Sequence, residues 1–318
     1  LEPQEQLLQH LTVGERRRLE QPIRPEQVAE RRLHRLRGWL FISPWLIAFA
    51  VFDFIPTAAA FVLSLTNWSG ISGRFEYVAL DNYRELLEDR LFWKSLWNTV
   101  YYTFISVPLG LAVAFVLALL LNSRIRGQTV YRTLYYLPSV VPTVAASVVW
   151  LWIFDTRRGI LNYLLGLVGI PPIHWLTSPQ WSKNALIIMS LWTIGGTVLI
   201  YLAGLQDIPQ ELYEAAEVDG ANTFQKITRI TIPLMTPTIF FNLVIGIIGS
   251  FQVFNVAFIT TGGGPVNSTL FYMLYLYNNA FSYFRMGYAS AMAVILFLLV
   301  LVLTICVYRS SGRWVHYA

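Results

Sequence analysis

The sequence predicts an all-α, polytopic membrane protein with six transmembrane helices, and three observations carry that prediction. The chain has 318 residues, of which 55% are hydrophobic and only 13% charged, about half the charge of an average soluble domain. Its mean hydropathy is +0.51. Asp, Glu, Lys and Arg are missing from several long runs, each near the roughly 20 residues with which a helix crosses a ~30 Å hydrocarbon core. These features exclude a disordered chain, a basic nucleic-acid-binding protein and an ordinary soluble enzyme.

The runs place the elements in order. Residues 38–73 are interrupted by a single acid, Asp53; the next runs are 95–123, 133–154 and 184–206. A further run covers 230–284 and the last covers 286–308. The long run contains TGGGP at 261–265, which turns the chain, so only its first half reads as a span. Its second half, rich in Asn and Tyr, reads as an interfacial loop or short helix. Segment 159–182 is uncharged too, but Pro171, Pro172, His174 and Pro179 suit an external loop with a short helix, because exposed backbone is costly in lipid. The expected spans are therefore near 39–66, 95–121, 133–154, 184–206, 234–260 and 287–308. Pro56, Pro108, Pro138 and Pro142 are expected to kink them.

Charge sets the orientation. With the amino terminus inside, the inner segments hold 15 Lys and Arg and the outer ones 8, so the positive-inside rule places both termini in the cytoplasm. Eight of the basic residues fall within 16–37. Residues 1–38 read as a cytoplasmic tail, since 1–37 carry too many acids and too weak an apolar segment for a signal peptide. Residues 39–310 form the membrane domain, and 311–318 a second tail. Trp39, Trp45, Trp68, Trp93 and Trp97 lie near span ends, as an aromatic belt requires.

The inner loop 207–233, DIPQELYEAAEVDGANTFQKITRITIP, differs from the rest. Pro209 suits a first helical turn. Glu211, Glu214 and Glu217 recur at spacing three, among good helix formers. Gly220 fits a left-handed position that ends the helix. Asn222 and Gln225 have the spacing of a capping box on a second short helix, which Pro233 limits before the next span. The product is a helix–turn–helix at the membrane surface. Its small Ala residues and exposed acids suit a protein partner bearing Arg or Lys. The other reading is an interfacial amphipathic helix, against which the acid-rich composition argues.

Glu214-Ala215-Ala216, then Gly220, then Ile230-Thr231-Ile232-Pro233 resembles the EAA–G–I-L-P loop of binding-protein-dependent ABC transporter permeases, with Ile232 where that family has Leu. LDNYRELL at 80–87, SVPLGLAVA at 106–114, YRTLYYLPSVVP at 131–142, LAGLQDIP at 202–209 and TGGGP are similar to the carbohydrate-uptake branch, of maltose and glycerol-phosphate transporter type. The resemblance covers about 39–310. It implies a prokaryotic inner-membrane subunit of an importer for a carbohydrate: a mono- or oligosaccharide, or a related polyol or uronate. The implied partners are a second homologous permease, two ATP-binding cassette subunits and an extracytoplasmic solute-binding protein. It also implies that Glu214, Ala215, Ala216, Asp219, Gly220, Ile230 and Pro233 form the surface that docks the ATPase, with Glu214 on a basic residue there.

No GxxxxGK[ST] phosphate loop occurs, so ATP and magnesium are expected on partner chains and no cofactor on this one. His10, His34, His174 and His316 lack ligand spacing, and Cys306 stands alone; neither a metal site nor a catalytic set is expected. A sugar path needs hydrogen-bonding groups within spans. Ser190, Thr193, Gly195 and Thr197 on the fourth span, and Asn242, Ser250 and Gln252 on the fifth, are the candidates. Close helix packing explains the same small residues. Asp53, an acid inside a span, leaves a second class open, a secondary transporter driven by an ion gradient.

Overall fold

The computed structural model describes residues 25–316 apart from 72, 74, 75, 124 and 125, with side chains from Arg37 onward. The tail before residue 25 lies outside the described residues. The elements are α1 (Pro25–Phe49), a wide π-turn (Ala50–Phe54), α2 (Ile55–Leu63), α3 (Asp81–Glu88), α4 (Arg90–Asn122), α5 (Gln128–Val140), α6 (Thr143–Ile153) and α7 (Ile160–Leu167). They continue with α8 (Ser182–Leu191), α9 (Gly195–Gln206), α10 (Gln210–Val218), α11 (Thr223–Lys226), a second π-turn (Ile227–Thr231) and α12 (Ile232–Phe251). Last come α13 (Asn255–Thr260), α14 (Tyr272–Tyr277), a third π-turn (Asn278–Ser282) and α15 (Met286–Ser311).

Among the described residues, four helical stretches are long and apolar enough to cross a membrane: Arg37–Leu63, Arg90–Asn122, Thr223–Phe251 and Met286–Ser311. Two bent pairs, α5 with α6 and α8 with α9, bring the number to six. This is the all-α, six-span arrangement the apolar runs predicted.

The first compact unit runs to Ala59 and the second begins at Ala60. In the first, helix starts at Pro25, well inside the stretch expected to be tail. Good helix formers from Glu26 to Arg37 carry it to Gly38 without a breaker. Asp53 sits in the π-turn and is exposed. In that turn Ile55 N–H reaches back five residues to Ala50 O.

In the second unit α4 is the central element. Its first half enters a core with Phe92, Tyr102, Phe271, Tyr272, Tyr288 and Met292. Its second half presents Ala114 and Ala118, one helical turn apart, to Val198, Tyr201 and Leu202 of α9; small side chains let two helices approach closely. Trp150, Phe154, Trp175 and Met189 form a third cluster around α6 and α8. Segment 159–182 is the short helix α7 followed by irregular chain, as its prolines predicted.

Several spans differ from their expected form. Pro108 lies within α4 and Pro138 within α5, both inside continuous helix. At Pro142 the third span turns by 100°, because Val141 before it is forced into an extended conformation (ψ 128°). The fourth span bends by 44° before Gly195. The fifth span stops at Phe251 rather than 260, and α13 is a separate helix. Gly246 and Gly249 weaken its last turns, and Gln252 and Val253 N–H donate only three residues back, to Gly249 and Ser250. Pro233 does not separate α11 from the span either. The second π-turn joins them into one helix, with Ile232 N–H on Ile227 O. Both Pro56 and Pro233 follow a π-turn by two residues. The wide turn opens the hydrogen-bond ladder just where a proline ring would strike the carbonyl four residues back.

Candidate coupling surface and translocation cavity

The loop between α9 and α12 folds as local chemistry dictates. Pro209 is the residue before α10, one position earlier than expected. The helix closes in a Schellman turn: Gly220 N–H donates to Glu217 O, and Ala221 N–H to Ala216 O at 2.8 Å. Gly220 has φ +79°, with open space where a Cβ would stand. The capping box is present on both arms, Gln225 N–H to Asn222 Oδ1 at 2.9 Å and Asn222 N–H to Gln225 Oε1 at 2.8 Å.

The site residues divide by exposure. Glu211, Glu214, Ala215 and Asp219 are exposed, and Ala216, Ile230 and Pro233 are half-buried. Ala216, Asp219, Gly220 and Ile230 line a notch of about 330 Å³ between the two short helices, together with Gln225, Lys226 and Arg229. Glu214 and Ala215 lie outside the notch, and Pro233 stands at the start of α12. Lys226 Nζ contacts Glu217 Oε1 at 2.7 Å; this hydrogen-bonded cation holds the Glu217 carboxyl below its usual range. Tyr213 and Thr231 share a hydroxyl–hydroxyl hydrogen bond at 2.9 Å. Sequence reasoning missed Val218 and Phe224, which are 89% and 74% exposed. Two large apolar residues flanking a predicted turn in a charged loop were the available signal.

A second cavity, of about 290 Å³, opens among α4, α8, α9 and α12. It brings together four of the seven path candidates: Ser190, Thr197, Asn242 and Ser250. The other three lie elsewhere. Thr193 is exposed at the bend, and Gln252 lines an apolar groove with Ile248, Met273 and Phe297. Gly195 is buried where a Cβ would meet Tyr135 O at 2.3 Å, so it serves helix approach. Tyr102 and Ser106 of α4 also line the wall and were not anticipated; the available signal was the polar stripe Ser95, Asn98, Thr99, Tyr102, Thr103 and Ser106 at helical spacing, which α4 buries. Ser190 Oγ donates to Ile187 O and Asn242 Nδ2 to Thr238 O, at 2.7 and 2.8 Å. Ser190 is also hydrogen-bonded to Tyr102, and the Asn242 side chain carries an amide oxygen able to accept from a polar guest. Among the described residues no group of three or more His, Cys, Asp or Glu is placed to hold a metal ion.

Residues 106–316 match the family described as binding-protein-dependent transport system inner membrane component. The chain belongs to this family. Its membership makes the chain a multi-pass translocation component rather than an enzyme. A probable ABC transporter permease protein, YesP of Bacillus subtilis strain 168, is 43% identical over 291 residues, which are 90% of this chain and 94% of that one. The trehalose/maltose transport system permease protein MalF of Thermococcus litoralis is 36% identical over 281 residues, 87% of this chain and 94% of that one. Among solved structures, a chain of a bacterial alginate ABC transporter, in complex with alginate pentasaccharide-bound periplasmic protein, superposes with a TM-score of 0.77. It is 26% identical and covers 87% of this chain and 95% of its own. The family resemblance read from the EAA loop is thus established, and so is the permease fold.

Proposed function

We propose that the chain is one of two permease subunits of an ATP-driven importer for a carbohydrate. The observation that carries this reading is the loop 207–233: a Schellman turn at Gly220 and a capped second helix present exposed acids beside a notch. That form suits docking on two ATP-binding subunits, with Glu214 on a basic residue of the ATPase. Relatives transport trehalose/maltose, lactose and arabinooligosaccharides by their names, which supports the substrate class. The hydroxyl and amide groups of Ser190, Thr197, Asn242 and Ser250, with the ring of Tyr102, offer the mixed polar and apolar wall a sugar needs. Both termini are cytoplasmic in this reading, and an extracytoplasmic binding protein delivers the sugar to the opposite face. ATP binding moves the coupling loop, and differential affinity of the partners for the two states drives access from one side to the other.

The test is co-purification of the tagged chain from its native membrane in mild detergent, repeated with Glu214→Lys and Gly220→Pro. An ATP-binding subunit that accompanies the wild type and is lost or uncoupled in the variants supports the reading. A chain that purifies alone, with uptake intact and independent of ATP, overturns it.

A further inference from the structure

The sequence leaves Glu211, Glu214 and Glu217 equivalent, three acids at one spacing. The structure separates them. Glu217 is joined to Lys226 at 2.7 Å, and the Lys226 side chain is only 20% exposed. All three acids are exposed, the Glu217 side chain at 64%, but Glu211 and Glu214 have no salt bridge among the described residues. The Schellman turn fixes 216–221 and the capping box fixes 222–225. Neither holds α11 against α10. Lys226, the last residue of α11, reaches back across both to the last turn of α10. Tyr213 and Thr231 make the second link, nearer the membrane end of the loop.

We propose that the Lys226–Glu217 ion pair is a strut setting the angle between the two coupling helices, and that Glu217 is a positioning residue, not a docking acid. The proposal rests on the importer reading for its consequence in transport. With its charge paired to Lys226, Glu217 offers a partner less attraction than the unpaired acids. Glu211, Glu214 and Asp219 remain to meet a basic surface. Lys226 also lines the notch, so releasing it from Glu217 changes the shape presented as well as the stiffness.

The test uses the whole transporter in lipid vesicles, with import and ATP hydrolysis measured together. Glu217→Gln and Lys226→Met are each expected to lower substrate imported per ATP roughly two- to fivefold, the range a part-exposed pair allows, while the ATPase still co-purifies. The reversed pair, Glu217→Lys with Lys226→Glu, restores the ratio. An unchanged ratio in the single variants, or a reversed pair no better than either, overturns the strut. So does loss of the ATPase from Glu217→Gln to the extent seen with Glu214→Gln. A second readout needs no partner: in the chain alone, amide exchange over 223–231 is expected to quicken in each single variant and slow again in the reversed pair. If the wild type purifies without an ATPase, the importer reading fails, and this exchange result alone decides the strut.

Discussion

Ser250 Oγ donates to Thr103 Oγ1 at 2.9 Å, tying α12 to α4 beside the cavity. Both residues are buried, at 9% and 5% exposure. Ser250→Val removes the bond and projects methyl groups where a hydroxyl stood. A bond of this kind contributes about 1 kcal/mol. The expected outcome is a several-fold higher KM for uptake together with a modest fall in unfolding temperature. A fall in stability with KM unchanged assigns the pair to packing alone.

Acid should loosen the opposite end of α4. Asp89 caps that helix, its Oδ1 accepting from Leu91 N–H at 2.8 Å, while Oδ2 accepts from Tyr275 and, at 2.6 Å, from Tyr288. Burial pushes the carboxyl up, but hydrogen bonds from the two tyrosines and from the Leu91 and Phe92 amides outweigh it and hold it below its ordinary value. A lowered folded pKa means stability that is present above the unfolded value, about 3.9, and lost as pH falls through the folded one. Asp89→Asn should therefore unfold at a lower temperature than wild type near neutrality. The gap should close below about pH 4, as followed by thermal unfolding in detergent.

Two adjacent glycines should behave oppositely. A Cβ on Gly195 would stand 2.3 Å from Tyr135 O and 2.9 Å from Tyr136 Cα, whereas Gly196 has nothing within 4 Å. Gly195→Ala is expected to destabilise by about 1–3 kcal/mol through overpacking. Gly196→Ala should be neutral or gain up to about 1 kcal/mol from helix propensity. Unfolding of the two variants in the same micelle distinguishes them.

At Gly220 the demand is conformational rather than steric. Its φ is +79° and its surroundings are open. An alanine there costs about 1–2 kcal/mol, while Asn tolerates the left-handed region better. Transport coupling is expected to fall in the order Gly, Asn, Ala. Equal activity in Gly220→Ala would mean that the turn opens in the assembled transporter.

What the sequence disclosed follows from how local each determinant is. Gly220, Asn222 and Gln225 act within six residues, so their turn and box were legible without tertiary knowledge. The positions of the spans were legible too, because lack of charge is an additive property. The breaks at Val141, before Gly195 and after Phe251 were not, or only in part: Pro142 announced a kink but not a 100° turn. Tyr102 and Ser106 belong to a stripe of Ser95, Asn98, Thr99, Tyr102, Thr103 and Ser106 at helical spacing, all buried; the period marks the inward face of α4, but which turn of it meets a cavity depends on α8, α9 and α12. Lys226 finding Glu217 depends on the angle between two helices, which no spacing encodes.

The second π-turn has a geometric effect on the fifth span. A turn closed five residues back, Ile232 to Ile227, holds one residue more than its α-helical neighbours. Each residue of an α-helix advances the chain by about 100° around the axis. Counted in α-helical steps, the coupling loop is thus out of phase with the cavity wall that carries Asn242 and Ser250, by roughly the rotation of one residue. The wide turn absorbs that extra residue, so a single deletion within Ile227–Thr231 would close it to an α-helical turn and leave the length of the span and the facing of the loop's acids almost unaltered.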